Sequence, residues 1–445
     1  MINAIILAAG KGTRMKTDLP KCAFPILEKP MIKYIMDALD KTKVDKKIVV
    51  VGYKKEVFYE LLNDVYFAEQ VNQLGTADAV KAALNYIDDD GISLIIPGDT
   101  PLINYEKINS LIELELSMNK DIALLTTILD NPTGYGRIIR EDGKIVRIAE
   151  ENDAYSDEKQ IKEVNTGIMV VKNSFLKEAI HKIKNNNSKK EYYLTDLIQF
   201  ASEISSIILD ENDILYGIND LYALSMVEEM VRKNILKKHM LNGVNIINPN
   251  TVTIYPDVEI EDGVTIYPNS FIKGKSIIKK GAIIGPNSEL NNATVLENAK
   301  VVHSVVYDST INKNASVGPF AHVRLHTVIG ESNRIGNFVE VKNSILGTNT
   351  KSSHLSYLGD SEIGNNVNIG CGSITVNYDG KAKNKTVIGD NVFVGCNSNL
   401  IAPIKIEKNA FIAAGSTITE DVEEADLAIA RSKQINKKGY AKKYK

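Results

Sequence analysis

A chain of 445 residues, 44% of them hydrophobic, with a net charge of −3, has ample length for two or three domains with full cores and is too evenly charged to suggest a nucleic-acid partner. Its three cysteines, Cys22, Cys371 and Cys396, lie far apart in the sequence with neither metal-ligand nor redox spacing, which suits a reducing compartment. The apolar opening Met1 to Ala9 is only strand-length and runs straight into Gly10-Lys11-Gly12, so the expectation is a cytoplasmic protein with no membrane span.

In chain order, β-rich apolar runs at Ile2 to Leu7, Lys47 to Gly52, Ser93 to Ile96 and Ile122 to Ile128 alternate with helical patterns at Met31 to Lys41, Thr76 to Tyr86 and Tyr105 to Met118. That alternation predicts an α/β domain over residues 1–219, with a mainly parallel sheet and helices on both faces. Leu221, Leu224, Val227, Val231 and Ile235 recur at three or four residues, predicting a connecting helix within 220–243, capped by Asn219 or Asp220 and stopped by Gly243.

From there to the end, over 244–445, a different period rules. Ile254, Ile260, Ile266, Ile272, Ile278, Ile284, Leu290, Leu296 and Val302 fall every six residues, and the clock resumes from Ile311 to Val341 and from Ile388 to Ile418. Six fits neither helix nor strand; it fits a coiled β-solenoid whose apolar residues point into a narrow prism. The clock fails between Leu346 and Ile363 and again over Asn377 to Lys385, which predicts loops on the flank of the solenoid. The basic tail Lys437 to Lys445 reads as a solvated terminus.

The N-terminal strand ends in Leu7-Ala8-Ala9-Gly10-Lys11-Gly12-Thr13-Arg14, where glycines let backbone N–H groups approach phosphates. Such a turn alone is as readily an ordinary strand-to-helix connection. Its company decides: Arg14 and Lys21 supply cations, and Asp99 follows the strand Ser93 to Ile96, where a carboxylate is placed to hold Mg²⁺ against bound phosphates.

Together with Gln73-Leu74-Gly75-Thr76, Gly134-Tyr135-Gly136-Arg137, Glu163-Val164-Asn165-Thr166-Gly167 and Glu191-Tyr192-Tyr193-Leu194-Thr195-Asp196, these motifs resemble, in order, the sugar-1-phosphate nucleotidyltransferases. With the solenoid added, the whole chain resembles the bifunctional N-acetylglucosamine-1-phosphate uridylyltransferase and glucosamine-1-phosphate N-acetyltransferase family. The resemblance implies a Rossmann-like nucleotidyltransferase domain, a connecting helix and a left-handed parallel β-helix of hexapeptide repeats. It implies that Leu7, Ala8, Gly10 and Lys21 hold UTP with Arg14 beside them, that Gln70, Gly75 and Thr76 read the uracil, and that Gly136, Glu150 and Asn165 bind the sugar. Asp99 and Asn219 would carry Mg²⁺. The chain departs from the family at Ala77-Asp78, where Gly-His is common.

In the solenoid the resemblance makes His354 the base that deprotonates the amine, a role suited to a group titrating near neutrality. Arg324, Lys342, Tyr357, Asn368 and Lys383 would bind glucosamine 1-phosphate, and Asn377, Tyr378, Cys396, Ala414 and Arg431 acetyl-CoA, with the Cys396 N–H as oxyanion donor. Leu325-His326 replaces the common Pro after Arg324; the other histidines read as solvated or structural. A homotrimer is implied, acting on small molecules with neither nucleic acid nor membrane as partner. The alternative is a monofunctional sugar-1-phosphate nucleotidyltransferase whose β-helix serves only oligomerisation.

Overall fold

Strand β1 (Ile2–Leu7) is apolar on both sides because both faces of its sheet are covered. Ala4 and Ile6 face one core and Ile5 the other. The computed structural model describes residues 1–209 and 217–444, in two units, Met1–Val231 and Arg232–Lys445. In the first unit the elements follow as α1 (Met31–Leu39), β2 (Lys46–Val51), α2 (Glu56–Leu61), β3 (Tyr66–Glu69), α3 (Thr76–Ala83), β4 (Ile92–Pro97), α4 (Tyr105–Met118), β5 (Ile122–Ile128), β6 (Arg137–Glu141), β7 (Lys144–Ala149), β8 (Glu163–Lys172), α5 (Asn173–Ala179) and β9 (Ile204–Leu209).

The sheet order is β9-β5-β8-β4-β1-β2-β3, with β6 on β8 and β7 on β6. Strands β1 to β4 pair in parallel, as does β9 with β5, whereas β8 runs antiparallel between β4 and β5. Helix α1 (Ile32, Ile35, Leu39) and α4 (Ile108, Leu111, Ile112) cover one face, and α3 (Val80, Ala83) and α5 (Leu176) the other. Leu7 and Pro97 are register partners. The loops after β1 and β4 therefore leave side by side where the chain order reverses about β1, the crevice in which open α/β sheets bind ligands.

Helix α6 (Leu221–Leu241) forms where the apolar spacing predicts a helix, and Asp220 caps it by accepting from Ala223 N–H at 2.8 Å. In the second unit its Arg232 donates to the carbonyls of Pro249 and Val252, both at 2.8 Å, and Leu236 joins the solenoid core.

The solenoid is a three-walled parallel β-helix with an apolar prism inside. One wall stacks Ile254, Ile272, Leu290, Val306, Val323, Val341 and Leu358. A second stacks Ile260, Ile278, Val295, Ile311, Ile329, Leu346, Ile363, Ile388 and Ile406. The third stacks Ile266, Ile284, Val301, Val317, Ile335, Ser352, Ile369, Val394 and Ile412. Corners need left-handed backbone, and Asn tolerates it best after Gly: Asn269, Asn287, Asn366, Asn391 and Asn409 all sit at positive φ. Some stack as side-chain ladders, Asn269 on Asn287 at 2.9 Å and Asn391 on Asn409 at 3.1 Å.

The predicted clock needs two corrections. Leu296 and Val302 are half-buried; Val295 and Val301 fill the prism, because Ile278 pairs with Val295 across a coil one residue short. The stretch from Leu346 to Ile363 is no flanking loop either. Lys351–Gly359 is a strand in unbroken parallel register on Arg334–Lys342, and fully buried Ser352 takes an interior position, so a polar residue hid the period. The second interruption is a real insertion, since Asn368 pairs with Phe393, 25 residues on.

Candidate active sites

The loop after β1 folds back over Lys21. Gly12 sits at φ 66°, and a Cβ there would lie 2.6 Å from that of Lys21, so the loop closes only with glycine. Lys21 Nζ is ion-paired with Asp99 and donates to Asn219 Oδ1 at 3.0 Å. Arg14 donates to the same Asn219 oxygen at 2.7 Å. With Asp220 capping α6, the Asn219 carboxamide is free for this cluster. A carboxylate and a carboxamide oxygen converging on one cation are hard oxygen donors of the kind Mg²⁺ takes alongside phosphates and water. Cys22 lies beneath, its thiol pushed up to about 12 by burial and then by the Asp99 charge.

A cleft of about 480 Å³ opens above this cluster, lined among others by Leu7, Ala9, Gly10, Lys21, Gln70, Gly75, Thr76, Asp99, Glu150 and Asn165. Ala8 lies in the core below it. At one end, Gly75 has φ 127° and packs on the Tyr192 backbone, where a Cβ would meet the carbonyl at 2.5 Å. Tyr192 clamps the turn from both sides, its N–H on Leu74 O at 2.8 Å and its carbonyl accepting from Ala77 N–H at 2.9 Å. Gln70 Nε2 donates to Gly75 O at 3.0 Å and to Asp78 Oδ2 at 2.8 Å. Both amide hydrogens are used, leaving Oε1 as the acceptor, so Asp78 fixes the orientation of Gln70. At the other end, Gly136 O accepts from Asn165 N–H at 2.8 Å, and Glu150 accepts from Thr195 Oγ1 at 2.9 Å. Burial raises the Glu150 carboxyl above its ordinary value.

In the solenoid, buried Lys342 meets Asp360 Oδ2 at 3.1 Å. The same carboxylate accepts from Asn377, and from Asn343 Nδ2 at 2.6 Å; Asn377 also donates to the Tyr357 hydroxyl at 3.3 Å. The insertion forms a small turn closed by a Tyr378–Lys383 bridge, which brings Lys383 to Lys342. Burial works to lower Lys342, but its hydrogen bond and ion pair with Asp360 help hold the ammonium above the usual lysine value. Lys383 is pushed below that value by its closeness to the Lys342 ammonium, with Arg324 adding to the effect. Three basic side chains thus gather about two carboxylates, Asp360 and Glu340, a positive excess of the kind an anion site needs. Arg324, one coil from Lys342, pairs with Glu340 at 2.7 Å. A cavity of about 570 Å³ beside them is lined by His326, Asn343, Asp360 and Lys383, among others.

His354 sits at an exposed corner, its Nδ1 3.1 Å from Asn337 Oδ1. Cys396 and Ala414 lie higher on the same corner, and Arg431 donates to Ala414 O at 2.8 Å. Asn368 lies apart, on the wall of Phe393 rather than that of Tyr357 and Lys342.

The sequence assigned no separate role to Asp78, Thr195, Asp360 or Cys371. The repeat offered a signal for the last. A coil is 17 residues at Lys351↔Asn368 and 25 at Asn368↔Phe393, so His354, Cys371 and Cys396 fall in one column, and two of the cysteines that lie apart in sequence are neighbours in space.

Residues 3–208 match the nucleotidyl transferase family model, 249–333 that of the GMPPB C-terminal domain, and 385–420 that of the bacterial transferase hexapeptide with six repeats. The chain is 52% identical to the bifunctional protein GlmU of Acholeplasma laidlawii, over 99% of this chain and 97% of that one. It is 46% identical to the bifunctional protein GlmU of a Geobacillus species (98% and 97% covered) and 46% to that of an Exiguobacterium species (99% and 99%). Near-end-to-end identity at this level, across both the nucleotidyl transferase half and the hexapeptide half, places the chain in the bifunctional GlmU family.

Proposed function

We propose that the chain makes UDP-N-acetylglucosamine in two steps: acetyl transfer from acetyl-CoA to glucosamine 1-phosphate in the solenoid, then uridylyl transfer from UTP in the N-terminal domain, with release of pyrophosphate. The observation that carries this reading is the cation cluster of Lys342, Lys383 and Arg324, with Lys342 on the strand next to the one that carries His354, which a purely structural solenoid has no need to build.

In the N-terminal cleft the sugar-phosphate oxygen attacks the α-phosphorus of UTP. Lys21 and Arg14 stabilise the charge that builds on the five-coordinate centre and on the departing pyrophosphate, so no covalent protein nucleophile is needed. Asp99 and Asn219 would hold Mg²⁺, which when bound would supply charge neutralisation at the phosphates. Gln70 Oε1 accepts from uracil N3–H, and Glu150 and Asn165 hold the sugar.

In the solenoid, Lys342, Lys383 and Arg324 hold the sugar phosphate. His354 takes the proton from the amine as nitrogen attacks the thioester carbonyl, and the Cys396 N–H receives the developing oxyanion. Asn337 orients the imidazole. Asn377 and Tyr378 flank the reacting amine, and Ala414 and Arg431 line the coenzyme A groove. The working domains are 1–219 and 244–445 joined by the helix between them, and the protein is cytoplasmic. Among the described residues no helix is long and apolar enough to cross a membrane.

The assembly is a homotrimer. Two observations support it: exposed aromatic stacks on the solenoid, Phe320 on Phe338 at 5.6 Å and Phe393 on Phe411 at 4.4 Å, and the placement of Asn368 on a different wall from its expected partners, where a neighbouring copy would bring it into the site.

The test is a mass-spectrometric product assay with glucosamine 1-phosphate, acetyl-CoA, UTP and Mg²⁺, each omitted in turn. UDP-N-acetylglucosamine that requires all four supports the reading. Nucleotide sugar that forms only from ready-made N-acetylglucosamine 1-phosphate would instead make the solenoid a scaffold.

A further inference from the structure

The corner that carries His354 holds two exposed free thiols on successive coils. Ile369 and Val394 are register partners, Gly370 N–H donates to Val394 O at 2.8 Å, and Asn397 N–H donates to Cys371 O at 2.7 Å. These bonds fix Cys371 directly against Cys396 on the next coil. Adjacent parallel strands lie about 4.8 Å apart, inside the roughly 4.4–6.8 Å between Cα atoms that a disulfide spans. Each cysteine follows a glycine, Gly370 or Gly395, and Gly372 comes after Cys371, so little Cβ bulk crowds the two side chains. Below the pair is His354 and above it Ala414. The third cysteine is its opposite in every respect: Cys22 is buried, with its thiol pushed up to about 12, so it is a poor nucleophile in the folded protein.

We propose that Cys371 and Cys396 form a reversible dithiol–disulfide pair that switches acetyl transfer off under oxidising conditions. The oxidant is a small-molecule disulfide such as oxidised glutathione. One cysteine thiolate attacks it, forming a mixed disulfide and releasing one glutathione thiol. The second cysteine thiolate then attacks the protein-side sulfur, closing the Cys371–Cys396 bond and releasing the second thiol. Both cysteine protons end on the two released glutathiones, and an external dithiol reverses the sequence. The closed bond fixes both sulfurs on the corner between His354 and Ala414, the proposed base and the proposed coenzyme A groove, and takes from Cys396 the freedom to adjust as the thioester docks. That consequence rests on the acetyl-transfer reading above; formation of the bond does not.

The experiment treats full-length protein with oxidised glutathione, blocks remaining thiols by alkylation, and reads intact and peptide mass together with both activities. The expected result is a Cys371–Cys396 cross-linked peptide with two hydrogens lost, Cys22 alkylated only after unfolding, acetyl transfer reduced at least tenfold and restored by dithiothreitol, and uridylyl transfer unchanged. The variant Cys371→Ser is expected to give a glutathione adduct at Cys396 in place of the cross-link. Adducts on both cysteines without a cross-link, or bonds between chains, would overturn the pair. A cross-link that leaves acetyl transfer intact would overturn the switch. A cross-link in a protein whose reduced form transfers no acetyl group would uphold the pair and instead count against the acetyl-transfer reading.

Discussion

Replacing Asp360 with Asn tests the anion site where its structural and catalytic roles meet. Asp360 sits at φ 49°, a conformation that Asn accepts, so the backbone is spared. The amide oxygen can still accept from Lys342 and Asn377, so what disappears is the charge opposite an ammonium only 5% exposed and the acceptor for Asn343 Nδ2. Removing one partner of a buried pair costs about 3–5 kcal/mol. The lysine has an escape, because giving up its proton at pH 8 from an ordinary value of 10.5 costs about 3 kcal/mol. The solenoid should therefore lose about 3 kcal/mol at pH 8, the smaller of the two costs. Urea unfolding followed by circular dichroism reads this as a lower midpoint for the solenoid transition, and steady-state assays should show a raised KM for glucosamine 1-phosphate with uridylyl transfer untouched. An unchanged midpoint together with an unchanged KM would refute the reasoning.

Three further outcomes follow from the same geometry. Glu115 on α4 is 2% exposed, its Oε2 has no hydrogen-bond partner among the described residues, and burial raises its carboxyl to about 7 from an ordinary 4.5. Between those values the folded chain keeps a proton the unfolded chain has released, so stability falls as pH rises through the window and the loss is complete above about 7. Glu115→Gln should then stabilise the N-terminal unit at pH 8, by at most about 3 kcal/mol, and do nothing at pH 4.5, as read by thermal melting at both values. Asp78→Ala frees the Gln70 amide to turn, so the KM for UTP should rise about five- to tenfold, the equivalent of one hydrogen bond, and discrimination against CTP should narrow in parallel kinetics. Light scattering should return three times the mass of the chain; a monomer at working concentration would remove any site shared between subunits.

Element existence was legible wherever one physical signal dominated. Buried strands such as Ile2–Leu7 and the helix Tyr105–Met118 stand at their predicted positions because a continuous apolar run and a helical period each have one reading. The solenoid was legible as a period, and its exceptions were not, for steric reasons a period cannot carry: a coil one residue short moved Val295 and Val301 inward in place of Leu296 and Val302, and a serine small enough for the prism replaced an aliphatic residue at Ser352. The antiparallel β8 went unseen because strand direction is set by its long-range partners, not by its own residues. At the sites, motifs in order pointed to Lys21, Asp99 and His354. The groups that orient them came only with the fold: Asp78 on Gln70, Asp360 on Lys342 and Asn337 on His354 pair across gaps of 8, 18 and 17 residues. Whether Asn219 capped the helix or faced the cleft was likewise undecidable until Asp220 was seen to take the cap.

The central claim is that one chain carries two separate active sites, and the most direct measurement is each half-reaction in each of two folded variants. His354→Ala should lose acetyl transfer by at least a hundredfold, the typical worth of a positioned general base, and keep uridylyl transfer; Asp99→Ala should do the reverse. Loss of both reactions from either folded variant, or acetyl transfer that survives His354→Ala, would contradict it.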